Sequence, residues 1–247
     1  RFQMGAAALA YGIVSYVVFL ISLLYSIGFV GNLIVPKTID SGLAGPASEA
    51  LLVDVLLLLA FAIPHSVMAR AGFKRWWTRV VPESLERSTY VLVSSLLLLL
   101  LFWGWRPILG VVWQTENAIA IAVLWALFWL GWALVLYSSF AIDHFDLFGL
   151  RQVWLRFRGV EYAPVPFEQP WLYTIVRHPL MLGFLLAFWA APTLTHGHLL
   201  FSLATTGYIL VGIVLEERDL VKAHGQSYVI YTREVRMLLP IPRRPSR

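Results

Sequence analysis

Three groups of residues in this 247-residue chain have the types and spacing for chemistry. The first is Tyr173, Arg177, His178, Pro179 and Gly183, at the head of an apolar run, with Glu216 and Glu217 further on. Pro179 suits the first position of a helix, where its missing N–H costs nothing. The helix start then offers free N–H donors and a positive dipole end to an anion. Arg177 adds a fork for a carboxylate, and Glu216 or Glu217 can bind an ammonium. Together they suit the amino-acid end of a zwitterion. Gly183, four residues after Pro179, leaves one helix face open to a ligand or to another helix. The second group is Asp143, His144 and Asp146, with Arg151 beyond. An imidazole beside carboxylates can act as a general base near neutral pH. The third is His65 with Ser66.

Each group also has a plainer reading. Arg177 can be a boundary anchor that the glutamates pair with. Residues 143–151 can be an interfacial loop with ordinary caps, and His65 a polar contact between helices. His196 and His198 flank Gly197 at a metal-like spacing, but no carboxylate or cysteine supports them, and no metal is expected. The chain has no cysteine, which excludes disulfides, thiolate metal sites and a cysteine nucleophile. It has no G-x-G-x-x-G turn of the soluble nucleotide-binding kind.

The elements that must position these groups follow from composition. The chain is 59% hydrophobic and 13% charged, against about 25% charged in soluble domains. An all-α polytopic integral membrane protein is expected, with about six spans, five at the fewest. Runs of the required length fall near 6–35, 49–69, 88–105, 117–142, 179–193 and 198–216. Beginning at Arg1, the chain is expected to lack an initiator segment; its first run is too long for a signal-peptide core and reads as a retained helix. The leucine blocks at 55–59 and 96–101 read as lipid-facing, and Trp76–Trp77 and Trp103–Trp105 as interfacial belts.

Seventeen of the nineteen Lys and Arg residues fall at Arg1, in 70–87, in 143–178 and after Leu215. Lys37 and Arg106 alone fall on the other side. The positive-inside rule then places both termini in the cytoplasm, and the net charge of +5 reads as topology and lipid contact, with no nucleic acid. The run from Pro179 to Thr193 is about 22 Å as helix, short of the ~30 Å hydrocarbon core. The next, from His198 to His224 with Gly225 as its stop, is about 40 Å. Anchoring the short helix at its outer end sinks Arg177 and His178 below the inner surface, at the depth of Glu216 and Glu217. Ionisable groups at that depth are functional-site candidates.

The ordered set Tyr173, Arg177-His178-Pro179, Gly183, Glu216-Glu217, Gly225, Tyr228, Tyr231, Arg236 and Pro240 resembles the isoprenylcysteine carboxyl methyltransferase superfamily of membrane methyltransferases. The match spans about 70 residues. It implies that these residues wrap S-adenosylmethionine at the cytoplasmic face of a bacterial inner membrane, in a C-terminal hairpin and tail, 177–240. That region follows N-terminal helices, 1–142, and a cytoplasmic loop, 143–176, in a single membrane domain. Met181 departs from the family's usual aromatic there. The stretches "PHSVMARAGFKRWWTRVVPESLERSTYVL" at 64–92 and "IDHFDLFGLRQV" at 142–153 resemble a bacterial branch that methylates methanethiol to dimethyl sulfide. The resemblance thus implies a small thiol as acceptor. Methyl transfer from a sulfonium to a thiolate is an in-line displacement in which charges cancel, which a low-dielectric pocket favours. His144, oriented by Asp143 or Asp146, is the expected base, with His65 a further candidate and Arg151 available to stabilise the thiolate. Alternatives are a lipidic acceptor (a prenylcysteine carboxylate or a phospholipid amine) or a non-enzymatic haem-binding or transport protein.

Overall fold

A computed structural model describes residues 2–166 and 168–241. Arg1, Arg243, Arg244 and Arg247, counted above among the basic groups, lie outside the described residues. The fold is all-α. The helices are α1 (Phe2–Gly31), α2 (Ala47–Met68), α3 (Ala71–Trp77), α4 (Glu83–Gly104), α5 (Ala118–Ile142), α6 (His144–Leu147), α7 (Leu150–Arg158), α8 (Trp171–Ile175), α9 (Pro179–Trp189), α10 (His196–His224) and α11 (Gln226–Glu234). Two short strands, β1 (Val111–Gln114) and β2 (Thr193–Thr195), pair with each other. Among the described residues α1, α2, α4, α5 and α10 are long and apolar enough to cross a membrane; α9 is apolar but has 11 residues. The protein is a polytopic integral membrane protein.

The chain divides into two compact units. The first is built from α1–α4, α6 and α7, and the second from α5, α8, α9, most of α10, and α11. In the first unit α1 packs on α4 and α7, and α2 on α4. Leu56, Leu59, Leu96 and Leu100 are exposed, as lipid-facing leucines should be. Trp103 and Trp76 are exposed too, but Trp105 corrects the expected belt: it is 2% exposed and meets Phe29 edge-on at 6.2 Å. Asp54, fully buried in α2, accepts the backbone N–H of Arg106 at 2.8 Å and so fixes the chain where it leaves α4.

The first helix ends at Gly31, short of Val35. Asn32 takes a left-handed φ of 53°, and the N–H of Leu33 returns to the carbonyl of Gly28 at 2.9 Å. This is a Schellman stop, invisible to hydropathy because Leu33, Ile34 and Val35 prolong the apolar run. The segment 143–176, expected as a loop, holds α6, α7 and α8. At Gly149 between α6 and α7, φ is +87°, and a Cβ would meet the Ser88 backbone nitrogen at 2.8 Å, so both conformation and space demand glycine.

In the second unit α5 and α9 pack along a close seam. A Cβ on Gly183 would lie 2.6 Å from the Gly131 carbonyl oxygen, and one on Gly131 would lie 2.6 Å from that of Gly183. Of the two occupants left open for the Gly183 face, the structure has the helix. Pro192 disfavours helix at Ala191, and the chain turns extended. Trp113 donates its indole N–H to the Ala191 carbonyl at 3.0 Å, and the Thr115 N–H donates to Pro192 at 3.1 Å. The helix α10 then runs 29 residues, about 43 Å, and ends before Gly225, whose φ is +59°.

Candidate active site

In the second unit, Pro179 opens α9 and leaves His178 and Arg177 just ahead of it. The backbone there is held by the chain's own tail. The N–H of Arg177 donates to the Arg236 carbonyl at 2.8 Å and that of His178 to the Met237 carbonyl at 3.1 Å, in a parallel bridge of Val176 with Arg236. The side chains converge on α10. Arg177 donates Nε to Glu217 Oε1 at 2.7 Å, and the same oxygen lies 2.9 Å from His178 Nε2. Glu216 Oε2 lies 3.7 Å from His178 Nδ1. Arg177 also gives Nη1 to the carbonyls of Thr232 and Val235 at the end of α11. The arginine and the histidine are 8% and 6% exposed.

Tyr228 and Tyr231 are buried on α11, their rings meeting at 5.6 Å. Tyr231 donates its hydroxyl to the carbonyl of Tyr173, whose own hydroxyl reaches the Ser138 carbonyl at 3.4 Å. Burial pushes the Tyr231 phenol up to about 12, opposed by Arg177. Burial also raises Tyr228, with Glu217 adding, and Tyr173, with Glu216 adding. All three therefore stay neutral donors. A shallow groove of about 680 Å³, open over most of its face, is lined by Arg177, Val214, Glu217, Arg218, Val221, Lys222 and Thr232. That volume lies within the usual range for small-molecule sites. Buried beside this cluster's backbone, Arg236 Nε has no hydrogen-bond partner among the described residues.

Tyr173, Arg177, His178, Glu216, Glu217, Tyr228, Tyr231 and the Arg236 backbone thus lie together, whereas Gly183 faces α5 and closes a helix seam. The role read for Arg177 changes in one respect: its Nε and Nη1 are already bonded to protein acceptors. The Thr232 and Val235 carbonyls were beyond sequence reasoning, because nothing in a residue's type shows where its backbone points.

The first unit holds the other candidates. His144, 3% exposed, lies with Nε2 2.7 Å from the hydroxyl of Tyr16 on α1. Burial pushes its pKa below the ordinary histidine value, against the pull of the Asp143 charge. Asp143 has φ 150° and ψ 92°, a conformation rare for a non-glycine residue, and caps α6 by accepting the Asp146 N–H at 3.0 Å. Such strain clusters at functional sites. Asp146 turns elsewhere. It accepts from Arg151 Nη1 at 2.9 Å, from Gln152 Nε2 at 3.3 Å and from the Tyr162 hydroxyl at 3.3 Å. Arg151 also bonds the Ala163 carbonyl and lies over the Tyr162 ring at 5.3 Å, so this network ties down residues 162–163. Its hydrogen bond to Asp146 raises the Arg151 pKa. His65 stands between Phe61 and Tyr90, with Nδ1 2.8 Å from Ser94 Oγ and Nε2 3.0 Å from the Tyr90 hydroxyl. The Tyr16 contact lay beyond sequence reasoning, because Tyr11, Ser15, Ser22, Tyr25 and Ser26 place other hydroxyls on the same helix and nothing in the pattern singles out one of them.

Fold and site together define a polytopic helical membrane protein with a buried Arg–Glu–His cluster clasped by its C-terminal tail. The chain belongs to the NnrU protein family, which matches residues 53–230. It is similar to a methanethiol S-methyltransferase of Mycobacterium tuberculosis, 57% identical over 95% of this chain and 96% of that one. It is also similar to one of Pseudomonas deceptionensis, 54% identical over 96% of this chain and 91% of the relative. A more distant relative is nurim of Bos taurus, 31% identical over 75% of each chain. No solved structure matches the chain.

Proposed function

We propose that this protein is a thiol S-methyltransferase that converts methanethiol to dimethyl sulfide, with S-adenosylmethionine as methyl donor. The observation that carries the reading is near-full-length identity above one half to relatives named methanethiol S-methyltransferase. The Arg177–Glu217–His178 cluster supports it from the structure. The residues present fit such a donor. Glu216 and Glu217 offer carboxylates for its ammonium, and the unpartnered Arg236 Nε offers a donor for its carboxylate. Neutral Tyr173, Tyr228 and Tyr231 form the packed backing of these groups, with the Tyr231 hydroxyl holding the Tyr173 carbonyl. When bound, the donor supplies an electrophilic methyl group on a sulfonium.

In this reading Arg177 and His178 position Glu217 and lock the tail onto the head of α9. Gly183 lets α5 close against that helix. His144 takes the thiol proton, with the Asp143 charge favouring the imidazolium that forms. Asp146, Arg151 and His65 hold the surrounding backbone and helices. The whole chain acts as one domain of a bacterial inner membrane, with the site and both termini on the cytoplasmic side.

The test is to incubate purified protein with S-adenosylmethionine and methanethiol, and separately with a prenylcysteine. Dimethyl sulfide should collect in the headspace in proportion to donor consumed. Methyl label found in the lipid product and absent from the headspace would overturn the acceptor assignment.

A further inference from the structure

Resting on the assignment of His144 as proton acceptor, we propose that the Tyr16 hydroxyl meets the thiol and relays its proton to the imidazole. The argument starts from enclosure. Phe148, Phe145 and Phe19 surround the His144 ring at 4.8, 5.4 and 6.4 Å, and Phe19 stacks on Phe148 at 3.9 Å. This leaves His144 at 3% exposure, while Tyr16, 2.7 Å away, is only half-buried. Of the pair, the phenol is the member a small molecule reaches. Methanethiol is apolar when neutral and enters such surroundings readily, but there its ionisation is hardest. A relay removes the need to open the aromatic shell.

The step balances. The S–H bond breaks and its proton passes to the Tyr16 oxygen, as the phenolic proton of Tyr16 passes to Nε2 of His144. The products are a thiolate, a neutral tyrosine and an imidazolium beside the Asp143 charge. After the thiolate has taken the methyl group, the imidazolium returns its proton through Tyr16 to water. Tyr16 never carries a charge, so its burial does not oppose the step.

Tyr16→Phe removes one oxygen and keeps the ring contacts. With methanethiol its kcat should fall about 100-fold, the usual scale of a lost proton-transfer group. Donor affinity by calorimetry should not move. With an aryl thiol, already largely ionised at neutral pH, the variant should keep most of the wild-type rate. Tyr16→Phe combined with His144→Gln should be no slower than the slower single variant, because both remove one unit. Equal losses with both thiols, or multiplying losses in the double variant, would overturn the relay. The wild-type protein offers a check free of substitution: its solvent deuterium isotope effect should be larger with methanethiol than with the aryl thiol, and equal effects would sink the idea. Wild-type protein that makes no dimethyl sulfide would instead defeat the functional reading itself.

Discussion

One oxygen of Glu217 receives both Arg177 and His178. Removing one partner of a largely buried ion pair costs about 3–5 kcal/mol, because the other charge stays behind in low dielectric. Glu217 is 21% exposed in its side chain, so Glu217→Gln should sit near the lower end, about 3 kcal/mol. The measurement is thermal melting in detergent, where this variant should fall well below wild type and lose donor affinity with it. Arg236→Ala separates binding from folding. Its side chain has an unbonded Nε, while its backbone carbonyl keeps holding Arg177. Donor affinity should drop about tenfold, the scale of one hydrogen bond to a charged group, with melting unchanged. A melting loss matching that of Glu217→Gln would mean Arg236 is structural. Sequence reasoning found the Arg–His–Glu set because scarce charges in an apolar chain stand out. It did not separate Asp143 from Asp146 as partners of His144, since both flank it and only the α6 turn decides which carboxylate swings away.

At the scale of elements, α5 and α9 touch backbone to backbone at Gly131 and Gly183. Apolar side chains gain little by leaving lipid, so such helices associate through close packing instead. Gly183→Leu should part them and leave little folded protein on size-exclusion chromatography. Gly207→Ala and Gly212→Ala are the controls: an added Cβ there meets nothing within 4 Å, so both should melt at or slightly above wild type. Hydropathy located every long helix, because each needs a run of about twenty apolar residues. It misplaced ends. The Schellman stop at Asn32 depends on backbone geometry, and α6, α7 and α8 lie in a segment whose mixed polarity reads as loop.

For the molecule as a whole, the cysteine-free sequence makes sidedness simple to measure. Gly45→Cys and Val80→Cys lie on exposed segments that flank α2 on opposite sides. In intact cells a membrane-impermeant maleimide should label the first and spare the second until the membrane is opened. The reverse pattern would invert the charge-based topology and with it the side on which the donor enters. The distribution of Lys and Arg is what makes an orientation proposable from sequence, and the labelling decides it. The substrate was not readable that way, since nothing in a hydrophobic pattern distinguishes a thiol from a lipid head group.

The extended stretch after α9 bears on how the protein is made. An eleven-residue helix is about 16 Å long, too short to be released sideways into lipid as a stable segment. In the proposed six-span topology, the residues that finish the crossing expose peptide groups that hydrocarbon does not tolerate unpaired. Their partners, Trp113 and Thr115, emerge from the ribosome some eighty residues earlier. Biogenesis therefore has an order: the earlier strand waits, and the last hairpin enters the bilayer by docking onto protein already there.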